Sequence, residues 1–121
     1  MISQFIAPRL RRFWRLTLGL MVGVVSWFAF APATGGGSVQ HLDKVQHVAA
    51  FVALAAVAAL AWGPGSHIDR RVAGALLGYG VFIELVQTQL PTRTASLGDV
   101  LADGVGIGLG LLLVNRLRRA A

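Results

Sequence analysis

The stretch that decides the fold of this chain is residues 97–114, which read LGDVLADGVGIGLGLLLV. The run is apolar apart from Asp99 and Asp103, and as a helix rising 1.5 Å per residue it approaches the ~30 Å thickness of the hydrocarbon layer. The two aspartates, Gly106 and Gly110 recur at intervals of three and four residues, so they share one helical face. Because a carboxylate facing lipid is costly, we expect this face to pack inward.

Three further apolar segments precede this one, at about residues 13–31, 45–62 and 72–90. Glycines and prolines lie between the segments, as is typical of connections. Only helices and closed barrels satisfy their backbone in lipid, so the pattern predicts an all-α, four-helix transmembrane bundle. We expect residues 1–121 to form one membrane domain, because 55% hydrophobic residues and a mean hydropathy of +0.68 are too apolar for a soluble domain of this size.

The basic residues predict how the bundle is oriented. Lys44 and Arg93 lie at one end of the four segments, and nine arginines lie at the other: Arg9, Arg11, Arg12, Arg15, Arg70, Arg71, Arg116, Arg118 and Arg119. The positive-inside rule then places both termini in the cytoplasm of a multi-pass protein of the inner or plasma membrane. Because this topology explains the net charge of +6, and the arginines lie beside apolar runs without an interleaved aromatic stacking platform, we expect no nucleic-acid partner.

Two other features narrow the class of protein. The arginines at residues 9–15, an apolar run and the small residues near 31–33 allow a cleavable signal peptide, but the run is longer than the usual segment of about 7–15 residues. The chain has no cysteine, which excludes disulfides and thiolate metal sites. Because its apolar run is longer than that of a usual signal peptide, we expect the first segment to be a retained membrane helix.

Ionisable residues gather at the end opposite the arginines, beginning with the second segment. Asp43, Lys44 and His47 lie at its start, and Asp43 and His47 are one helical turn apart. Asp43 could cap the helix, with Gln46 completing a capping box. It could also form a polar site together with His47, and the sequence leaves both interpretations open.

Glu84 lies deeper, near the end of the third segment. It is six residues before Leu90, or roughly 9 Å from the helix end, and it shares a face with Gln87. An isolated ionised glutamate at this depth is too costly, so we expect Glu84 to be neutral or paired with His47 or Arg93.

The fourth segment brings two more carboxylates to the same end. Ser96 is a predicted helix N-cap with Asp99 three residues later, whereas Asp103 lies one turn deeper, near the level of Glu84. The connection at residues 91–96 is short, so the third and fourth helices should be adjacent and antiparallel. Inward carboxylates at matching depth on adjacent helices indicate a binding or catalytic site.

The predicted site is one polar cluster that opens toward the extracytoplasmic leaflet. Its candidate acid–base residues are His47, Glu84 and Asp103, and its candidate metal ligands are Glu84, Asp99 and Asp103. No motif identifies a cofactor. The candidate ligand-binding residues are Asp43, Lys44, His47, Glu84, Gln87, Arg93, Ser96, Asp99 and Asp103.

These residues also carry a family resemblance. Asp43-Lys44-x-x-His47, Glu84-x-x-Gln87, Arg93-x-x-Ser96-x-x-Asp99 and the run LADGVG at 101–106 resemble the VanZ-like family of small membrane proteins, over about residues 43–113. The resemblance implies a four-helix membrane domain and, through the family's namesake, a link to teicoplanin resistance and the bacterial cell envelope. It implies no particular reaction. Asp103 stands where similar proteins often carry asparagine.

Three classes of function fit this pattern. The first is a protein that binds or modifies an envelope lipid or a glycopeptide-related ligand, and we favour binding because no nucleophile–base pair is evident. The second is a membrane-embedded enzyme that acts on a lipid headgroup by acid–base or metal chemistry, with Arg93 holding a phosphate. The third is a small proton-coupled transporter that uses Glu84, which is the weakest because no comparable charge lies in the cytoplasmic halves of the segments to complete a path.

Overall fold

The computed structural model describes residues 2–31, 40–90 and 96–121, with the backbone alone at 40–43. Throughout these ranges the secondary structure is helical and no strand is present, which confirms the all-α class. The helices are α1 (Ile2–Phe5), α2 (Arg11–Phe30), α3 (Gln40–Trp62), α4 (Ser66–Gln87) and α5 (Leu97–Ala120), and a 3-10 turn at Pro8–Leu10 precedes α2.

Several helix boundaries differ from the apolar segments. The helix α4 begins at Ser66, six residues before the predicted start, and α5 continues to Ala120 rather than ending at residue 114. The reason is that hydropathy marks only the apolar part of a helix, whereas these helices extend through their charged ends. Gly63 and Gly65 form the turn before α4 with φ values of 90° and 143°, which glycine adopts far more readily than other residues.

Three of the long helices are apolar enough to cross a membrane. They are the described segments Pro8–Phe30, Lys44–Trp62 and Leu97–Ala120. The helix α4 is long enough, but its 22 residues include Arg70, Arg71, Glu84 and Gln87, which lower its hydropathy. The prediction of four apolar spans is therefore confirmed for three helices. The fourth helix, α4, is held in the bundle by its contacts with the neighbouring helices.

The helices α3 and α5 form the central pair, and they run in the same direction. At one end His47 contacts Asp103, with 2.7 Å between Nδ1 and Oδ1. At the other end the Arg118 guanidinium donates to the Ala59 carbonyl oxygen at 2.6 Å. Because both contacts join residues at corresponding heights, α3 and α5 are parallel.

Two glycines allow this pair to approach closely. A Cβ atom added at Gly106 would lie 2.6 Å from the Val48 carbonyl oxygen, and one added at Gly110 would collide with the Val52 carbonyl oxygen. The inward face predicted for α5 is confirmed, because Asp99, Asp103, Gly106 and Gly110 are all buried. A Cβ would meet no atom within 4 Å among the described residues at Gly19, Gly23, Gly74, Gly78, Gly104 or Gly108, so these glycines do not bring helices of this chain together.

The helix α4 runs antiparallel to α5, as the short connection predicted. Near the start of α4, Asp69 accepts a hydrogen bond from Asn115 at 2.9 Å. Further along α4, Gly80 lies against Asp103. The core between the helices is formed by Phe51, Leu54, Ala55, Ala58, Val72, Leu76, Ile83 and Ile107.

The helix α2 lies on the outside of this core and has no buried residue. It is joined to α4 by polar contacts: the hydroxyls of Ser26 and Tyr79 are 2.5 Å apart, and Tyr79 also donates to the Val22 carbonyl oxygen at 3.2 Å. Leu20 and Trp27 are 70% and 73% exposed, as befits side chains that face lipid.

The arginine end of the bundle is organised around the carboxyl end of α3. Arg15 donates to the Ala61 carbonyl oxygen at 3.2 Å, beside the contact between Arg118 and Ala59. Cationic groups satisfy the terminal carbonyls of a helix and interact favourably with its dipole. Asp69 also lies at this end, where its half-buried carboxylate accepts the hydrogen bond from Asn115.

Candidate functional site

The opposite end of the bundle contains a cluster of ionisable side chains from three helices, which we call the polar cluster. Its members are Lys44 and His47 on α3, Glu84 on α4, and Asp99 and Asp103 on α5. The three carboxylate residues are buried, with exposed fractions of 6%, 2% and 0%. Burying three acidic residues is costly unless they are paired. The partners of these three side chains therefore determine which chemistry the polar cluster can perform.

His47 lies between the two aspartates of α5. Its Nδ1 atom is 2.7 Å from Asp103 Oδ1, and its Nε2 atom is 3.9 Å from Asp99 Oδ2. The parallel packing of α3 and α5 produces this arrangement, because it aligns the first turns of α3 with the first turns of α5. A histidine held by a carboxylate has a fixed ring orientation, which suits it to proton transfer or metal binding.

Lys44 pairs with the other oxygen of Asp99. The distance from Nζ to Asp99 Oδ1 is 3.4 Å, and the lysine side chain is 43% exposed. Gly98 leaves room for this contact, since a Cβ there would lie 3.0 Å from Lys44 Cε. Asp99 therefore directs one oxygen toward the lysine and the other toward His47.

Glu84 has a partner that the sequence did not reveal. Its Oε2 atom accepts the backbone N–H of Ser96 at 2.9 Å. Its Oε1 atom is buried and has no hydrogen-bond partner within residues 2–31, 40–90 and 96–121. Ser96 itself is the N-cap of α5, as predicted, because its Oγ accepts the Asp99 N–H at 3.3 Å.

Gly80 is a further residue of the site that sequence reasoning missed. A Cβ atom at this position would lie 2.5 Å from Asp103 Oδ2, so any larger residue would displace the Asp103 carboxylate. The available signal was its spacing, since Gly80 precedes Glu84 by four residues and shares its helical face.

Gln87 is turned away from the acidic residues. Its Nε2 atom donates to the Ala29 carbonyl oxygen of α2 at 2.9 Å. It lines a cavity of about 300 Å³ between α2, α3 and α4, which we call the α2 cavity. The other lining residues are Val24, Val25, Phe28, Ala29, Gln46, His47, Ala50, Phe51 and Ile83. His47 thus belongs to both the polar cluster and the α2 cavity.

Two predicted site residues cannot be placed in the same way. Arg93 lies outside the described residues, as does the side chain of Asp43. The backbone of Asp43 lies inside α3, which begins three residues earlier, at Gln40. The interpretation of Asp43 as a helix cap was therefore wrong, because a cap residue must precede the first helical turn.

Comparison with known protein families agrees with this architecture. The VanZ/LLP1 family profile matches residues 5–118, nearly the whole chain. The chain belongs to the VanZ/LLP1 family. The match includes α2 as well as the motif residues at 43–113, so the outer helix is part of the VanZ/LLP1 unit. No curated protein and no solved structure shows a significant match.

Among the described residues of this VanZ/LLP1 chain, one group of side chains lies close enough together to hold a metal ion. His47, Glu84 and Asp99 each offer one ligand atom, and these three atoms lie within 4.8 Å of one another. The sequence had suggested Glu84, Asp99 and Asp103 instead. In the structure Asp103 contacts the histidine, so its position favours orienting His47.

Proposed function

We propose that this VanZ/LLP1 protein binds an amphiphile of the cell envelope, either a lipid or a glycopeptide-related molecule with an apolar tail. The observation that carries the proposal is the position of His47, which lines the α2 cavity and contacts the carboxylates of the polar cluster. A single ligand could therefore place its apolar part in the cavity and its polar group against the cluster.

The composition of the α2 cavity supports the placement of the apolar part of the ligand in the cavity. Seven of its ten lining residues are apolar, and the three polar ones are Gln46, His47 and Gln87. Ligand sites are usually concave, mainly apolar and fitted with a few polar groups that fix orientation. A volume of about 300 Å³ is enough for part of an acyl chain but not for a whole lipid, so the remainder would lie along the bundle.

The proposal can be tested with a matched pair of tryptophan substitutions on α3. Ala50 lines the α2 cavity, whereas its neighbour Ala49 is exposed on the outer face. In nanodiscs that contain phosphatidylglycerol with a diazirine in the acyl chain, we expect cross-links to Val24 and Phe28. Ala50→Trp should reduce these cross-links about tenfold, since the indole fills the cavity, and Ala49→Trp should leave them unchanged. Equal cross-linking in both variants would refute the proposal.

We also propose that all four long helices cross the membrane as one domain, with both termini in the cytoplasm. Three of the helices are sufficiently apolar, and the nine-to-two distribution of basic residues supports this orientation. The helix α4 can join them because each of its two carboxylates has one oxygen paired, Glu84 with the Ser96 N–H and the half-buried Asp69 with Asn115. The polar cluster and the α2 cavity then face the extracytoplasmic leaflet.

Single cysteines introduced into the cysteine-free chain test this topology. An impermeant thiol reagent applied to intact cells should label Ser38→Cys and should leave His67→Cys unlabelled until the membrane is opened. Labelling of His67→Cys with protection of Ser38→Cys would reverse the orientation.

A second candidate function is supported by the contact between His47 and Asp103. A histidine whose Nδ1 is 2.7 Å from a buried carboxylate can act as a general base through Nε2, so the protein could hydrolyse or transfer a lipid headgroup. Incubation of the purified protein with headgroup-labelled phosphatidylglycerol distinguishes the two functions. Release of the label that requires His47 would establish an enzyme, and binding without release would establish the first candidate.

A further inference from the structure

We propose that His47, Glu84 and Asp99 bind one divalent transition-metal ion, with Zn²⁺ as the best fit, and that Asp103 is the positioning residue for His47. This inference goes beyond amphiphile binding and does not depend on it, because the metal site is defined by the polar cluster alone. Each helix of the cluster supplies a ligand: His47 from α3, Glu84 from α4 and Asp99 from α5.

The spacing of the three ligand atoms suits an ion between them. They lie within 4.8 Å of one another. Ligands at about 2.0–2.2 Å from a tetrahedral Zn²⁺ are roughly 3.3–3.6 Å apart, so binding requires a contraction of about 1 Å. Small rotations of the carboxylates suffice for this change. Three protein ligands leave a fourth position for water or for a ligand group.

The unsatisfied oxygen of Glu84 is an independent indication of a ligand. Glu84 is 94% buried, its Oε2 accepts the Ser96 N–H, and its Oε1 has no hydrogen-bond partner in the described part of the chain. Buried polar atoms of native proteins nearly always have partners, and a bound ion is one standard explanation for an exception. A metal ion between Glu84, His47 and Asp99 would supply the missing partner.

Asp103 orients His47 for this role. Its Oδ1 lies 2.7 Å from Nδ1, which favours the tautomer with hydrogen on Nδ1 and a lone pair on Nε2. The Nε2 atom lies on the side of Asp99 Oδ2, at 3.9 Å. Metal-binding histidines commonly donate their other ring N–H to a carboxylate, which is the relation between His47 and Asp103.

Charge and ligand type indicate which ion fits. Lys44 against the carboxylates of Glu84, Asp99 and Asp103 gives a formal charge of −2 when His47 is neutral. A divalent cation neutralises this charge in a buried setting. An imidazole beside two carboxylates suits Zn²⁺ better than Mg²⁺ or Ca²⁺, which prefer oxygen ligands throughout. Lys44 contacts Oδ1 of Asp99 and leaves Oδ2 for the ion.

The first test is metal content. The full chain, purified in detergent with any affinity tag removed, is loaded with Zn²⁺, desalted and analysed by mass spectrometry of the metal. We expect about one Zn²⁺ per chain, a loss of at least tenfold in affinity in His47→Ala, and full retention in His67→Ala, the exposed histidine at the arginine end. Less than about 0.1 Zn²⁺ per chain in the wild-type protein, or equal binding in the two variants, overturns the proposal.

The second test separates positioning from folding. Asparagine at residue 103 can still accept the Nδ1–H, whereas leucine cannot. We expect Asp103→Leu to weaken Zn²⁺ binding by about 10–100-fold and Asp103→Asn to recover most of the affinity. In the Co²⁺-loaded wild-type protein, visible absorption bands should indicate four or five nitrogen and oxygen ligands.

Those bands should persist in Asp103→Asn and should be altered in Asp103→Leu. If leucine and asparagine bind equally, Asp103 does not position His47. If the wild-type protein gives no Co²⁺ band, there is no ordered metal site, whatever the folding of the variants.

Discussion

The two ends of the helix bundle are both rich in charge, but they use it in different ways. At the arginine end, guanidinium groups of Arg15 and Arg118 bind backbone carbonyls at the end of α3. At the other end, carboxylates of Glu84, Asp99 and Asp103 gather around His47, and Glu84 keeps one oxygen without a partner among the described residues.

The difference shows how a structural use of charge can be told from a functional one. The arginines complete hydrogen bonds that every helix end requires, so they need no ligand to explain them. The acidic residues bind no helix carbonyl and carry a formal excess of negative charge over Lys44. Lys44, His47 and the Ser96 N–H offset only part of the cost of burying them, since Glu84 Oε1 has no hydrogen-bond partner in the described part of the chain.

The largest expected effect on stability comes from disrupting the close packing of α3 against α5, the two helices that connect the two ends. Gly106→Leu should lower the free energy of unfolding by about 3 kcal/mol or more, because its side chain would enter the space of Val48 and Phe51. Gly108→Leu is the matched control, since nothing lies within 4 Å of a Cβ there. Thermal unfolding in detergent measures both. Equal stability of the two variants would show that α3 and α5 do not pack as described.

The next expected effect concerns the polar cluster, where substitutions should impair function without lowering stability. In a strain whose resistance to an envelope-directed antibiotic such as teicoplanin depends on this protein, His47→Ala, Glu84→Gln and Arg93→Ala should each abolish that resistance, with membrane abundance unchanged. Arg71→Ala, an exposed change at the arginine end, should leave resistance intact. The measurement is growth inhibition alongside quantitative immunoblots. If resistance falls only in proportion to abundance, the polar cluster stabilises the fold and has no separate function.

The smallest effect is expected at the arginine end. Arg118→Ala removes hydrogen bonds to the Ala59 carbonyl oxygen and to Asn115, and should lower stability by about 1–2 kcal/mol. Photo-cross-linking of lipid and Zn²⁺ binding should be unchanged. Arg119→Ala, which changes an exposed arginine beside it, should have no effect on stability. A loss of Zn²⁺ binding in Arg118→Ala would contradict the separation of the two ends.

The sequence predicted the features that depend on periodicity within one helix. The inward face of α5 followed from the spacing of Asp99, Asp103, Gly106 and Gly110, and the N-cap role of Ser96 followed from local chemistry. Gly19 and Gly23 on α2 and Gly74 and Gly78 on α4 also have a four-residue spacing but meet no other helix among the described residues, so spacing alone does not tell whether a face meets another helix or lipid. The start of α3 was placed too late for a similar reason, since polar residues can continue a helix beyond its apolar run.

Features that depend on two or three helices together were not predictable in this way. The contact between Glu84 and the Ser96 N–H involves a backbone donor, which no side-chain pattern reveals. The α2 cavity and the close approach of Gly80 to Asp103 arise from the relative placement of helices. Hydropathy also could not show that α4 depends on its neighbours, because partners for its carboxylates come from α5.

This dependence has a consequence for how the protein is made. The helices α2 and α3 are apolar enough to leave the translocon one at a time, whereas α4 carries Glu84 into the membrane before its partner exists. The partner, the N–H of Ser96, is synthesised twelve residues later, at the start of α5. On the four-span topology proposed above, we therefore expect α4 to stay at the translocon until α5 arrives, so that the last two helices enter the bilayer as a hairpin.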